Sequence, residues 1–249
     1  MNPSLTDEFV TRGFVVFRNA FDQQVAACCG ESVLERCEDT ALDIARETGY
    51  VHLKESFDGE PFSLIWTPRL ATAIDTLLGP EAYIPPDAWG WWPISLPGFA
   101  KGPVRIPEIG WHIDGTNSGD RHRLNDREAV ILIGIFTPID TWGGGTFIEI
   151  GSHLDSLRAI VDERDGIAHQ DLNTLMNSRS QKGQVVEMTG QPGDMVIMHP
   201  LVWHCRGLNF GERTRIICNQ DIALINPKNI ETRPDALARA IRSATGSIQ

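Results

Sequence analysis

Two residues in Gly110-Trp111-His112-Ile113-Asp114-Gly115 could hold a metal ion. On an extended backbone alternate side chains share a face, so His112 and Asp114 project together. An imidazole and a carboxylate so placed form a two-point chelate for a first-row divalent metal. A third ligand must come from elsewhere, and His199 and His204 are the candidates, 85 and 90 residues beyond Asp114. Two histidines and one carboxylate on one face of an octahedron leave three positions open, which is the ligand set of non-heme iron(II) oxygenases. Alone, a His-x-Asp pair is a common accident, and a histidine bonded to a neighbouring acid accounts for it equally well.

The longer context adds to it. A Gly193-Asp194 turn feeds the apolar run Met195–Met198, a further strand presents His204, and Arg215 follows eleven residues later. Arginine's planar fork grips a carboxylate through two parallel hydrogen bonds. A metal with open positions and a carboxylate clamp deeper in the same barrel suit a 2-oxo-dicarboxylate co-substrate.

These residues need a frame. Thr6 is expected to cap a first helix that Gly13 ends, followed by a short buried strand Phe14–Phe17. Phe21 to Ala45 reads as one longer helix, and Pro68 opens another that Gly79-Pro80 closes. After residue 80 come eight short β-rich runs between Gly/Pro turns: Trp89–Leu96, Ile109–Ile113, Val130–Phe136, Thr146–Ile150, Gln184–Met188, Met195–Met198, Val202–Cys205 and Thr214–Asp221. One helical insertion, His153 to Asp165, interrupts them, and a last helix spans about Arg233 to Ser243. The pattern predicts a single α+β domain over 1–249: helices over 1–80, a jelly-roll β-core over 81–226 and a closing helix over 227–249.

Composition excludes several functions. The 249 residues carry 22 Lys+Arg against 33 Asp+Glu, a net charge of −11. An acidic chain is a poor partner for nucleic acid or an anionic membrane surface. The longest apolar run, Ala129 to Phe136, is too short to cross a bilayer, and the first residues lack a basic and an apolar leader region. A cytoplasmic location is the expectation. Five cysteines without a CxxC pair point to reduced, buried thiols, with Cys28, Cys29 and Cys37 packed on a helix. Nothing in the sequence addresses oligomeric state.

The chain resembles the phytanoyl-CoA dioxygenase family of iron(II)/2-oxoglutarate oxygenases. The resemblance rests on Gly13-Phe14-Val15-Val16, the His-x-Asp at 112–114, the Gly144-Gly145-Thr146…Gly151-Ser152-His153 run, the Gly193–His204 segment and Arg215. It implies a double-stranded β-helix, an agreement with the jelly roll reached above, with N-terminal helices packed on one sheet. It implies that Fe(II) is held by His112, Asp114 and His204. It implies also that Arg215 pairs with the far carboxylate of 2-oxoglutarate, that Thr146 touches the same co-substrate, and that O2 is consumed. The expected reaction is hydroxylation, or a related oxidation, of an unactivated C–H bond in a small molecule. Intact Asp114 sets the chain apart from halogenating relatives, which carry Gly or Ala there. Two positions depart from the family pattern: Arg206 stands where many relatives have Ser beside the clamp, and Ile150 where most have Pro.

His199 and His204 lie five apart around Pro200 and fall on opposite strand faces; the spacing to Arg215 favours His204. Arg213 shares the face of Arg215, and the same spacing leaves Arg213 to solvent or a salt bridge. His153 is read as bonding its own turn, and His122 as a solvated loop residue in the stretch 117–126. Trp89 and Trp91 are placed on one strand face and Trp92 on the other, with one of them able to reach substrate. Loop 116–128 and the insertion 153–183 are the expected lid. The absence of a basic cluster suited to CoA phosphates favours a small secondary metabolite over an acyl-CoA. The competing readings are a metal cupin working without 2-oxoglutarate or a sugar-binding module on the same jelly roll, from which a carboxylate clamp at Arg215 separates the chain, and a catalytically silent binding scaffold, against which the intact ligands argue.

Overall fold

The run Glu128–Ile135 is apolar without a break after its first residue, as in a strand buried on both faces. The computed structural model bears this out. It describes residues 4–40, 42–114, 121–124, 126, 128–163, 165–179, 183–227 and 233–246. Strand β6 (Glu128–Ile135) lies inside an antiparallel sheet between β10 (Met195–Met198) and β12 (Arg215–Leu224). The sheet continues outward to β1 (Phe14–Phe17) beyond β10, and to β4 (Trp92–Ser95) and β2 (Tyr50–Leu53) beyond β12. A two-residue strand, β3 (Tyr83–Ile84), pairs with the far end of β12. A second antiparallel sheet has the order β11 (His204–Arg206), β7 (Thr146–Glu149), β9 (Val185–Glu187), and β5 (Arg121–His122) pairs β8 (Ile167–Ala168).

The period of two divides the large sheet between two cores. Phe14, Ile131, Ile133, Ile135, Val196, Met198 and Ile217 pack inward with Ile148 and Met188 of the small sheet. Their alternates Val15, Val130, Leu132, Met195, Ile197 and Ile216 join the helical layer. That layer comprises α1 (Leu5–Arg12), α2 (Gln23–Thr40), α3 (Leu42–Thr48), α4 (Pro68–Leu78), α5 (Ser152–Val161), α6 (His169–Arg179) and α7 (Ala236–Thr245). Among them α7 packs on α1, α4 and α5.

Several boundaries differ from the sequence reading. Ser4, not Thr6, caps α1, its hydroxyl accepting from the Asp7 N–H at 3.1 Å. The expected 21–45 helix is two helices, α2 and α3. The insertion after Gly151 also holds two, α5 and α6. Segment 109–113 is not a strand: only His112 makes a bridge there. Strand β2 lies outside the runs the sequence pattern marks as strands, although its alternation of half-buried Tyr50 and His52 with buried Val51 and Leu53 is regular. In the expected lid 116–128, residues 116–120, 125 and 127 lie outside the described residues.

Gly13 ends α1 at φ 84° and turns the chain directly into β1. A Cβ there would fall 2.5 Å from Val202 Cγ2 and 2.6 Å from His153 Nδ1. The turn therefore needs glycine for its backbone angle and for space.

Candidate metal centre

His112 and His204 face each other across a short antiparallel bridge. Each backbone N–H donates to the other's carbonyl, at 2.9 and 3.0 Å, and the two rings lie 4.4 Å apart. The remaining ring nitrogens are sorted by the backbone. His112 Nδ1 lies 2.9 Å from the Gly110 carbonyl and His204 Nδ1 2.9 Å from the Val202 carbonyl. A carbonyl only accepts, so Nδ1 carries a proton in both rings, and it is Nε2 that is left to face a metal. Burial reinforces the choice at His204 by holding its pKa below the ordinary histidine range.

Asp114 closes the group. Its Oδ2 lies 3.5 Å from His204 Nε2 and its Oδ1 3.9 Å from His112 Nε2, and the three ligand atoms fit within 4.8 Å of one another. Two imidazoles and a carboxylate turned to one point suit a divalent first-row metal. His199 lies elsewhere: it is buried beside Phe9 and His153, and its Nδ1 accepts from the Leu201 N–H at 3.1 Å. The Asn173 side-chain oxygen on α6 accepts from the Ile113 N–H at 3.0 Å, between the two ligand-bearing residues of the His-x-Asp.

The group borders a cavity of about 380 Å³. Arg215, Ile217, Asn219 and Asp221 of β12 line it in a row, as alternation along a strand requires. Arg215 is 1% exposed. It donates to Ser95 Oγ at 2.8 Å, while its Nε is buried with no partner and no carboxylate among the described residues pairs with it. Burial draws its pKa down to about 10. An orphaned guanidinium nitrogen in a cavity wall suits a ligand carboxylate. Thr146 lines the same cavity and stands opposite Arg206 in the β7–β11 pairing. Arg206 stacks on the Tyr50 ring, its guanidinium carbon 3.6 Å from the centroid. Arg213 is exposed and 3.5 Å from Asp140.

Three placements depart from expectation. His122 is 2% exposed, not solvated. Its Nε2 meets His169 Nδ1 at 2.9 Å, and burial lowers its pKa to about 4. His153 bonds not its own turn but the Val10 carbonyl of α1, at 3.0 Å. Trp89 and Trp92 are buried while Trp91 is half exposed, because Trp91 takes φ 59° and breaks the alternation. Glu128, at the bulge where β6 leaves β12, is not among the residues the sequence pattern singles out. It lines the cavity with its pKa pushed up to about 9, first by burial and then by Asp221, Asp114 and Asp126. Its signal was slight: a lone acid at the head of an apolar strand.

No family model matches the sequence, and no curated relative matches it. Solved structures share its fold. They include the non-heme alpha ketoglutarate dependent carbocyclase SnoK from nogalamycin biosynthesis, with a TM-score of 0.58 and 13% identity over 90% of this chain and 84% of that one. A nickel complex of the non-heme monooxygenase ThoJ aligns with a TM-score of 0.57 and 18% identity over 89% of this chain and 77% of that one. EctD from S. alaskensis, in its apo form, aligns with a TM-score of 0.56 and 18% identity over 90% and 77%. The chain thus has the antiparallel, helix-flanked fold of non-heme enzymes and carries a candidate His–Asp–His metal site within it.

Proposed function

We propose that the protein is a non-heme iron(II) oxygenase that uses 2-oxoglutarate and O2 to oxidise an unactivated C–H bond of a small molecule. The observation that carries the reading is the pairing of an open His–Asp–His group with a buried, uncompensated arginine in one cavity. A cupin working without a co-substrate has no use for that arginine. On this reading the chain is one double-stranded β-helix domain of the phytanoyl-CoA dioxygenase type, and the protein works in the cytoplasm. No helix among the described residues is long and apolar enough to cross a membrane.

His112, Asp114 and His204 would hold the iron, with the Gly110 and Val202 carbonyls fixing both imidazoles. Arg215, steadied by Ser95, would bind the far carboxylate of 2-oxoglutarate, with Thr146 beside it. When bound, the iron and its co-substrate supply the oxidising power for C–H cleavage. The protein orients the reactants and keeps water away with the apolar walls of Ile131 and Ile217. Trp111 and Trp203, stacked with ring centroids 6.5 Å apart, stiffen the ligand segments.

The test is anaerobic titration of the apo-protein with Fe(II) and 2-oxoglutarate, following the metal-to-ligand charge-transfer absorption. The band should need both components and be absent in His112→Ala. Folded protein that binds metal yet gives no band with 2-oxoglutarate would overturn the reading.

A further inference from the structure

The cavity wall away from Arg215 holds features that the metal group and the clamp leave unused. Across β2, β4 and β12 the register places Tyr50, Ser95 and Arg215 at one level, and His52 and Pro93 at the next. One step further, the Asn219 N–H donates to the Trp91 carbonyl at 2.9 Å. Four residues of strand, about 13 Å, separate Arg215 from Asn219. The two ends of the cavity are therefore far enough apart for two ligands.

Trp91 is 50% exposed and sits in the left-handed region, which a bulky side chain enters only against steric resistance. Its backbone is pinned there: the Cys218 thiol donates to the Gly90 carbonyl at 2.9 Å, and the Gly90 N–H to Gln220 Oε1 at 3.3 Å. The His52 ring meets the indole edge-on at 5.1 Å, and Lys54 Nζ lies 5.3 Å from its centroid. Two residues that line this part of the cavity each present an unused polar atom. His52 Nε2 and Asn219 Oδ1 are buried without a hydrogen-bond partner among the described residues, and both residues line the cavity with Trp91.

We propose that Trp91, His52 and Asn219 form the subsite for the organic substrate, and that this substrate is an uncharged, hydroxyl-bearing ring. The inference deepens the oxygenase reading and rests on it. The ring would lie on the indole, and its hydroxyls would satisfy the His52 nitrogen and the Asn219 oxygen. Chemistry excludes the alternatives. A plain hydrocarbon chain would leave both buried polar atoms unpaired. A phosphate or carboxylate would meet the Asp221 carboxylate, which lines the same end. A cation over the indole would meet the Lys54 ammonium.

Full-length protein labelled with 5-fluorotryptophan tests this by fluorine NMR, with the Trp91 signal assigned through Trp91→Phe. The probes are resorcinol, methyl β-D-glucopyranoside, phenyl phosphate, benzylamine and 1-butanol. Resorcinol or the glucoside should shift the Trp91 signal saturably, and which of them does separates aromatic from sugar substrates. His52→Ala and Asn219→Ala should each weaken that binding about tenfold. Trp91→Gly, which suits the backbone angle, should abolish the binding, read for this variant by isothermal titration calorimetry with whichever ring shifts the parent signal, without lowering the melting temperature. A stronger response to phenyl phosphate, benzylamine or butanol, or no response to either hydroxylated ring, would overturn the proposal. The charge-transfer titration of the unaltered protein reports separately on the oxygenase reading, so the two can fail independently.

Discussion

Replacing Arg215 with leucine should separate the needs of the fold from those of a co-substrate. In the free protein the guanidinium is buried with, among the described residues, one bond to Ser95 and no counter-charge. Exchanging a buried charge for an apolar side chain is neutral or stabilising, by up to about 4 kcal/mol. Arg215→Leu should therefore melt no lower than the parent without ligand. Breaking a buried pair from one side costs about 3–5 kcal/mol. That is a loss of roughly two to nearly four powers of ten in affinity for 2-oxoglutarate. At a ligand concentration of 100 Kd the parent gains about 2.7 kcal/mol. For a chain of this length that is about 5–10 °C in Tm. At the same concentration the variant should gain less than about 2 °C. The assay is anaerobic thermal unfolding of Fe(II)-loaded protein with and without 2-oxoglutarate. A variant that keeps the parent's ligand-induced rise would refute the assignment of the clamp.

Asn173→Ala removes the acceptor for the Ile113 N–H and should weaken Fe(II) binding about 10- to 100-fold. Asn173→Asp, which keeps an acceptor, should recover most of it; equal metal affinity in all three proteins would count against the positioning role. Glu128 titrates near 4.5 when unfolded and near 9 when folded, so the unfolded chain binds fewer protons across that window. Stability should fall as pH rises from about 5 to 9, and Glu128→Gln should remove that loss. The gain at pH 8 should be on the order of a few kcal/mol, fading by pH 4.5, and is read by urea unfolding of the metal-free protein. A pH-independent difference between the two proteins would contradict it. Gly13→Ala drives a Cβ into Val202 and His153 at a positive φ. It should cost about 2–4 kcal/mol in urea unfolding, and a cost under about 1 kcal/mol would show that the turn relaxes.

The parts of the molecule legible in the sequence are those where one period dominates. Met195–Met198 and the body of β6 were found because unbroken apolar runs are strands buried on both faces. His112 and Asp114 do meet, although their segment is held by a single bridge rather than by a strand. Trp91 could not be placed by alternation, because its positive φ is imposed by bonds to β12, some 130 residues away. His122 reads as polar loop, and only the arrival of His169 from α6 makes its burial tolerable. Asn173 carries no local signal at all, since its partner is a backbone N–H 60 residues earlier. Local pattern gives elements; long-range hydrogen bonds decide which polar side chains serve the site.

Arg215 is buried, level with Tyr50 on whose ring Arg206 stacks, while Trp91, at the other end of the same cavity, is half exposed. Such a chamber imposes a queue. If 2-oxoglutarate is anchored on Arg215 as proposed, it would have to enter before a ring settles on the indole, and its spent remnant would leave after the oxidised product. Turnover should then follow a compulsory order, and an excess of ring compound would delay reloading by blocking the passage its partner needs.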